Sequence, residues 1–235
     1  ALDNIISEAK NKGKKYFIAV SNMATTMFGS VDNPDVYTSA LEKNNATYRL
    51  HIDGAYGGFV YPFSNQNSKI NFSNPKISSI TIDAHKMLQA PYGTGVFVCR
   101  KGLIENVLTK EAEYVEGMDL TLCGSRSGAN AVAVWMILFT YGAYGWFEKI
   151  SILQMRTQFL CDELDKLNIN YFREPFMNLV TIHAENIPHK IAEKYDLVPQ
   201  QHNEHNKWYK IVLMDHVEID HLTTFIDDLK WAINE

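Results

Sequence analysis

What this sequence has little of excludes several classes of protein at once. Its three cysteines, Cys99, Cys123 and Cys161, are odd in number, widely spaced and set among apolar residues. They offer no disulfide framework and read as buried thiols in a reducing compartment, for which the cytoplasm fits. Long hydrophobic runs are missing too. The longest purely apolar stretch, Ala131 to Phe139, is too short to span a hydrocarbon core of about 30 Å, and its Trp and Met content is that of a buried helix. The first ten residues lack the basic-then-apolar order of a signal peptide. Basic charge is scarce: 22 Lys and Arg stand against 27 Asp and Glu, for a net charge of −5, and no basic cluster is interleaved with aromatics. Neither nucleic acid nor a membrane is an expected partner.

Several catalytic signatures are absent as well. Gly93-Thr94-Gly95 is followed by Val98 where a dinucleotide-binding loop needs its third glycine. Gly124-Ser125-Arg126-Ser127-Gly128 carries Arg where a hydrolase elbow needs its nucleophilic Ser. His202 and His205 form a His-x-x-His pair without helix or strand context, which reads as a solvated loop, so no metal site is expected.

What is present supports a core of one or two domains, with 46% hydrophobic residues among 235. Ile5, Ile6 and Ala9 mark a helix that stops by Gly13, and Tyr16 to Val20 reads as a buried strand. Val36, Ala40 and Leu41 indicate a second helix before the strand Tyr48 to Ile52, and Ile77 to Ile82 and Gly95 to Cys99 give two more strands. An apolar helix over 128–145 leads into an amphipathic one over 146–167 that turns Ile150, Leu153, Phe159, Leu160 and Leu164 inward and is expected to cross between domains. The strand Leu179 to His183, a helix near His189 to Tyr195, the strand Trp208 to Met214 and the helix Ile219 to Asn234 complete a small α+β unit. The division expected is 1–145, a helix over 146–170, and 171–235. A doubly wound sheet that opens on a helix, with no glycine-rich strand-to-helix turn near its start, is expected to have further chain upstream.

Two segments concentrate polar residues at the carboxyl ends of apolar strands, where open α/β sheets keep their ligands. They are His51-Ile52-Asp53-Gly54-Ala55-Tyr56-Gly57-Gly58 and Ser79-Ile80-Thr81-Ile82-Asp83-Ala84-His85-Lys86-Met87. Spacing alone is equally consistent with a buried Asp–Lys ion pair. The first segment, however, is similar to the His-Val-Asp-Ala-Ala element of group II decarboxylases dependent on pyridoxal 5′-phosphate (PLP), and Asp83-Ala84-His85-Lys86 to their (Asn/Asp)-Pro-His-Lys element. In family order, Ala24-Thr25-Thr26 with Gly29-Ser30-Val31-Asp32 resembles a Gly-Thr-Thr strand end. Gly124-Ser125-Arg126 followed by Trp135 resembles a Gly-Ser-Arg helix start, and Val212 to Val217 a C-terminal strand and turn.

The resemblance implies the C-terminal portion of a PLP fold type I large domain, a mostly parallel sheet with helices, followed by a small α+β domain. It implies that Lys86 holds the cofactor as a Schiff base, that Asp53 keeps the pyridine nitrogen protonated, and that Ala55 packs on the ring. His85, Asp83 and Thr26 match polar positions around the cofactor, and Gly124 and Ser125 a helix start that serves the phosphate of a neighbouring subunit, hence a homodimer. Read without the resemblance, Ser125 is an ordinary N-cap. Tyr114 stands where related enzymes carry a mobile loop with a proton-donating Tyr; its plain reading is a surface or interface aromatic. The expected activity is decarboxylation of an L-amino acid to its amine and CO₂, with a lean toward the tyrosine or aspartate decarboxylase branch carried by Gly57 to Val60 and Met87. The alternatives are a carbon–carbon lyase resembling sphingosine-phosphate lyase, and a non-catalytic fragment or split subunit that pairs with a separate N-terminal chain. Ala84 and Asp215 stand where relatives have Pro, and Gly54 where they have Ala. The family's phosphate cup and ring-stacking residue find no match.

Overall fold

The computed structural model describes residues 1–107, 126–202 and 205–234. The described chain falls into two compact units. The first is built from 1–22, 32–58 and the described part of 67–140, the second from 23–31, 59–66 and the described part of 141–235.

In the first unit, strands β1 (Tyr16–Asn22), β2 (Thr47–Asp53) and β3 (Ile77–Asp83) run parallel, and β4 (Gly95–Cys99) returns antiparallel against β3, in spatial order β1-β2-β3-β4. Parallel neighbours need crossover connections, and the one between β1 and β2 holds helix α2 (Pro34–Lys43). Asn33 starts that helix: its side-chain oxygen accepts the Asp35 N–H at 3.0 Å while Pro34 supplies a preset φ at the first turn. Helices α1 (Leu2–Asn11) and α2 pack together and α2 covers β1 and β2. The period-2 alternation of β2 puts Leu50 and Ile52, both fully buried, on the covered face, with His51 and Asp53 on the other. Truncating either core side chain to Ala removes about 2–5 kcal/mol of stability.

The register between β2 and β3 carries a fault just below the strand ends. Leu50 pairs with Ile77 but His51 pairs with Ser79, so Ser78 is an extra residue, a bulge of the kind that re-aims the side chains beyond it.

The second unit takes its sheet from β5 (Tyr171–Phe172), β6 (Leu179–His183), β7 (Val198–Pro199) and β8 (Trp208–Val212), antiparallel throughout in the order β5-β6-β8-β7. Helix α4 (Gly128–Lys166) enters this unit at Tyr141. With the short α3 (Tyr61–Ser64), α5 (His189–Lys194) and α6 (Ile219–Asn234) it completes the helices. Its core gathers Leu160 and Leu164 of α4, Val180 and Ile182 of β6, Leu213, and Phe225, Ile226 and Leu229 of α6. Segment 23–31 joins this unit: Thr181 Oγ1 donates to Met27 O at 2.9 Å, and Phe28 meets Phe172 and Trp208 edge-on at 5.8 and 5.5 Å.

Three expectations need correction. β1 is not buried on both faces: Tyr16 and Ile18 are 79% and 80% exposed, so that among the described residues one face of the strand stays open while α2 packs on β1 and β2. The stretch 131–139 is helical but not buried; Trp135 and Phe139 stack on each other at 5.2 Å and are 60% and 75% exposed. The expected pair of helices is present within 128–166, but the break falls at Gly142 rather than near 145, where φ 58° and ψ −174° suit a residue without a Cβ. Of the thiols, Cys161 is buried whereas Cys99 is only half-buried, and Cys123 lies outside the described residues.

Candidate cofactor site

The carboxyl ends of β2 and β3 are held together beyond the last ladder pair. Gly54 N–H donates to Thr81 O at 2.9 Å and Asp83 N–H to Ala55 O at 3.0 Å, so the two polar segments singled out in the sequence lie side by side. Asp53 turns its carboxylate away from the buried face and accepts the Ala55 N–H at Oδ1, 3.1 Å away. Among the described residues that is the hydrogen bond on this carboxylate, and Oδ2 stays open to a ligand. Gly54 is buried here, and a Cβ at that position would come within 3.1 Å of Thr81 O, a tight contact.

Lys86 lies one turn beyond β3, with Lys86 N–H bonded to Asp83 O at 3.1 Å. Its ammonium meets Asp83 Oδ2 at 3.0 Å, with the two side chains 40% and 24% exposed. The Asp–Lys pair that spacing allowed is therefore Asp83–Lys86, not Asp53–Lys86, and it is not a buried one. A pair so exposed is worth roughly 0.2–1 kcal/mol, so Lys86 is held in place yet cheaply released.

His85 is oriented by its own loop. A carbonyl can only accept, so the 3.0 Å contact between His85 Nδ1 and Thr94 O puts the hydrogen on Nδ1 and leaves Nε2 for a ligand. The ring lies 5.4 Å from that of Tyr92, and the loop closes through Ala90 N–H to Ala84 O.

His51, one alternation before Asp53, sits between two hydroxyls of β3: Nδ1 is 2.8 Å from Ser79 Oγ and Nε2 3.2 Å from Thr81 Oγ1. Its ring lies nearly parallel to Phe97 of β4, 22° apart at 6.1 Å. Burial pushes the imidazole below its ordinary pKa, against an upward pull from the Asp53 charge, and so favours the neutral ring. His51, Ser79 and Thr81 all stand in the two polar segments of the sequence without an assigned role. The period-2 step back from Asp53 was the signal that could have found them.

Thr26 belongs to the second unit, where its carbonyl accepts Lys210 Nζ at 3.0 Å. Tyr114, Gly124 and Ser125 lie outside the described residues. His202 and His205 are exposed. The side chains that are described suit PLP: a releasable amine, an open carboxylate oxygen one strand away, a small Ala55 beside it and a ring nitrogen on His85.

Comparison with known proteins agrees with this chemistry. Residues 1–182 match the pyridoxal-dependent decarboxylase conserved domain. A tryptophan decarboxylase from Clostridium sporogenes is 58% identical over 229 residues, covering 97% of this chain and 55% of that protein. A probable L-tyrosine/L-aspartate decarboxylase from Methanocella arvoryzae is 34% identical over 224 residues, covering 94% of this chain and 59% of that protein. The chain thus spans little more than half the length of these relatives. Among solved structures, sphingosine-1-phosphate lyase from Burkholderia pseudomallei superposes with a TM-score of 0.80 at 17% identity, covering 99% of this chain and 55% of that one. Glutamate decarboxylase from Lactobacillus brevis gives 0.77 at 21%, covering 92% and 54%. At such identities these two show the shared fold alone. With its parallel-containing sheet, its lysine beyond β3 and a family match over most of its length, the chain belongs to the pyridoxal-dependent decarboxylases of PLP fold type I.

Proposed function

We propose that the protein carrying this chain decarboxylates an aromatic L-amino acid to its amine, with PLP held on Lys86. The observation that carries the reading is the arrangement at the strand ends: an exposed lysine paired, among the described residues, with a half-buried Asp83, on the strand next to a carboxylate with one oxygen open. The 58% identity to a tryptophan decarboxylase favours an aromatic substrate. Decarboxylation is preferred to carbon–carbon lysis because the Clostridium sporogenes and Methanocella arvoryzae relatives are named decarboxylases, whereas the lyase likeness is one of fold.

When bound, PLP supplies the electron sink that takes up the electron pair left as CO₂ departs. The protein's part is positioning and charge. Lys86, once parted from Asp83 and deprotonated, would hold the cofactor through Nζ, and Asp83 would receive the ammonium whenever the lysine is free. Asp53 holds a proton on the pyridine nitrogen through its open oxygen, and Ala55 leaves room for the ring. His85 Nε2 would hold the cofactor, and the resemblance assigns Thr26 a polar position toward it and Gly124 and Ser125 one toward that of a second copy in a homodimer. The resemblance assigns Tyr114 the proton donation that would complete the amine. The domain division at 1–145, 146–170 and 171–235, a separate or continuous N-terminal part and a cytoplasmic location belong to the same reading.

The test is borohydride reduction of the native protein after addition of PLP, followed by peptide mass mapping. The pyridoxyl group is expected on Lys86, and Lys86→Ala is expected to lose both the adduct and the visible absorbance. A borohydride-stable adduct that persists in Lys86→Ala refutes the assignment.

A further inference from the structure

The bulge between β2 and β3 poses a problem that the cofactor residues do not solve. Asp53 and Lys86 reach the same sheet end from neighbouring strands, and an extra residue in β3, Ser78, lies between the Leu50–Ile77 and His51–Ser79 pairs. Something has to hold the register after the fault, or Asp53 and the segment leading to Lys86 slide relative to one another. The backbone bond from Gly54 N–H to Thr81 O is one tie. His51 is another, made of side chains and aimed across the same two strands.

We propose that His51 is a positioning residue for Asp53: its imidazole bridges Ser79 and Thr81 and locks β2 onto β3 across the first and third pairs beyond the bulge, which sets where the Asp53 carboxylate meets the cofactor. This rests on the reading of Asp53 given above. Each ring nitrogen has its own hydroxyl, 2.8 Å away on Ser79 and 3.2 Å away on Thr81, and those residues are the strand partners of His51 and Asp53 themselves. Phe97 closes one side of the ring, so the imidazole cannot swing out without giving up that stack as well as both bonds. Hydroxyls are suited to the task because each both donates and accepts, so a neutral ring satisfies one through N–H and the other through its lone pair. A neutral ring also leaves the Asp53 charge to the pyridine nitrogen, where a cation two residues away would compete for it.

The test uses the native holoprotein and two readouts that do not depend on turnover: hydrogen exchange of the Gly54 amide, and the ¹⁵N resonance of PLP labelled at the pyridine nitrogen. His51→Phe keeps a flat ring against Phe97 and drops both hydrogen bonds. It is expected to speed Gly54 exchange by about tenfold, the scale of two half-exposed hydrogen bonds, and to move the pyridine signal toward its unprotonated position. His51→Gln, with a donor and an acceptor on one amide, is expected to recover most of both signals. Thr81→Val removes one hydroxyl at nearly constant volume, and a rise of about threefold is expected, absent when His51→Phe is already in place. The Gln and Val variants carry the test where the Phe variant does not fold. Gly54 exchange and a pyridine signal unchanged in the hydrogen-bond-deleting variants overturn the proposal. Asp53→Asn separates the two layers: a pyridine signal unmoved there overturns the cofactor reading and this proposal with it. A signal moved there but not in the His51 and Thr81 variants overturns this proposal alone.

Discussion

Gly58 lies over β3 in the turn that follows Asp53, and its lack of a side chain is a packing requirement. A Cβ there would sit 2.9 Å from Ile82 Cγ1 and 3.3 Å from both Cδ1 and Cγ2. Carbon atoms in relaxed contact stand roughly 3.5–4.0 Å apart, so Ile82 would have to retreat by about 0.6 Å or more. It has little freedom to do so. Its β-branched side chain is stiff at χ1, it pairs with Val96 of β4, and the next residue is Asp83, the partner of Lys86. Overpacking of this kind costs about 1–3 kcal/mol, and the lower entropy of an unfolded chain with Ala offsets about 0.4–1 kcal/mol of it. Gly58→Ala should therefore destabilise the first unit by roughly 1–2 kcal/mol, a substantial part of a typical total of about 5–15 kcal/mol. For a chain of this size that corresponds to a fall of about 2–8 °C in Tm. Urea and thermal unfolding followed by circular dichroism measure it. Ile82→Ala removes all three crowding atoms, so the double variant should be more stable than the sum of the single effects by about 0.5 kcal/mol or more. A Gly58→Ala protein as stable as the parent, or strictly additive effects, would show that the turn accommodates a Cβ and that the contact is not a constraint.

Asp53→Asn is expected to keep the borohydride-trapped adduct on Lys86 while kcat falls by at least about a hundredfold, since a neutral amide cannot hold the pyridinium proton; near-parent turnover by amine assay would reduce Asp53 to a structural strand-end carboxylate. Acid should also weaken the first unit through His51. Burial holds its pKa below the ordinary 6.5 in the folded chain, so between that lowered value and 6.5 the unfolded chain binds more protons than the folded one. The stability is present above about pH 6.5 and is lost as pH falls through this window. His51→Gln should flatten that limb in urea titrations at a series of pH values, and an unchanged slope would mean that His51 does not titrate in it.

Period-2 alternation alone located β2, since Leu50 and Ile52 need a dry face whatever surrounds them; in β3 the buried Ile77 and Ile80 stand three apart, a spacing that only the bulge at Ser78 brings onto one face. The same alternation set Asp53 on the other face and put Lys86 just past a strand end, which is why the site region was legible before any coordinates. The apolar residues of α6 and of α4 after Gly142 declared their inward faces in the same way. β5 and β7, two residues each, are too short to carry a period, and they exist because β6 and β8 offer them ladder bonds. The exposure of Tyr16, Ile18, Trp135 and Phe139 could not be read either, since an apolar pattern records which residues favour burial and not what lies over them. Three-dimensional pairing likewise decided that Lys86 meets Asp83, that β3 is bulged at Ser78 and that His51 falls between Ser79 and Thr81. Local sequence determines which face a side chain takes on its own strand, through the geometry of a single extended chain. Which atoms it touches depends on the register between strands distant in sequence, and that is set by hydrogen bonds formed only when the sheet assembles.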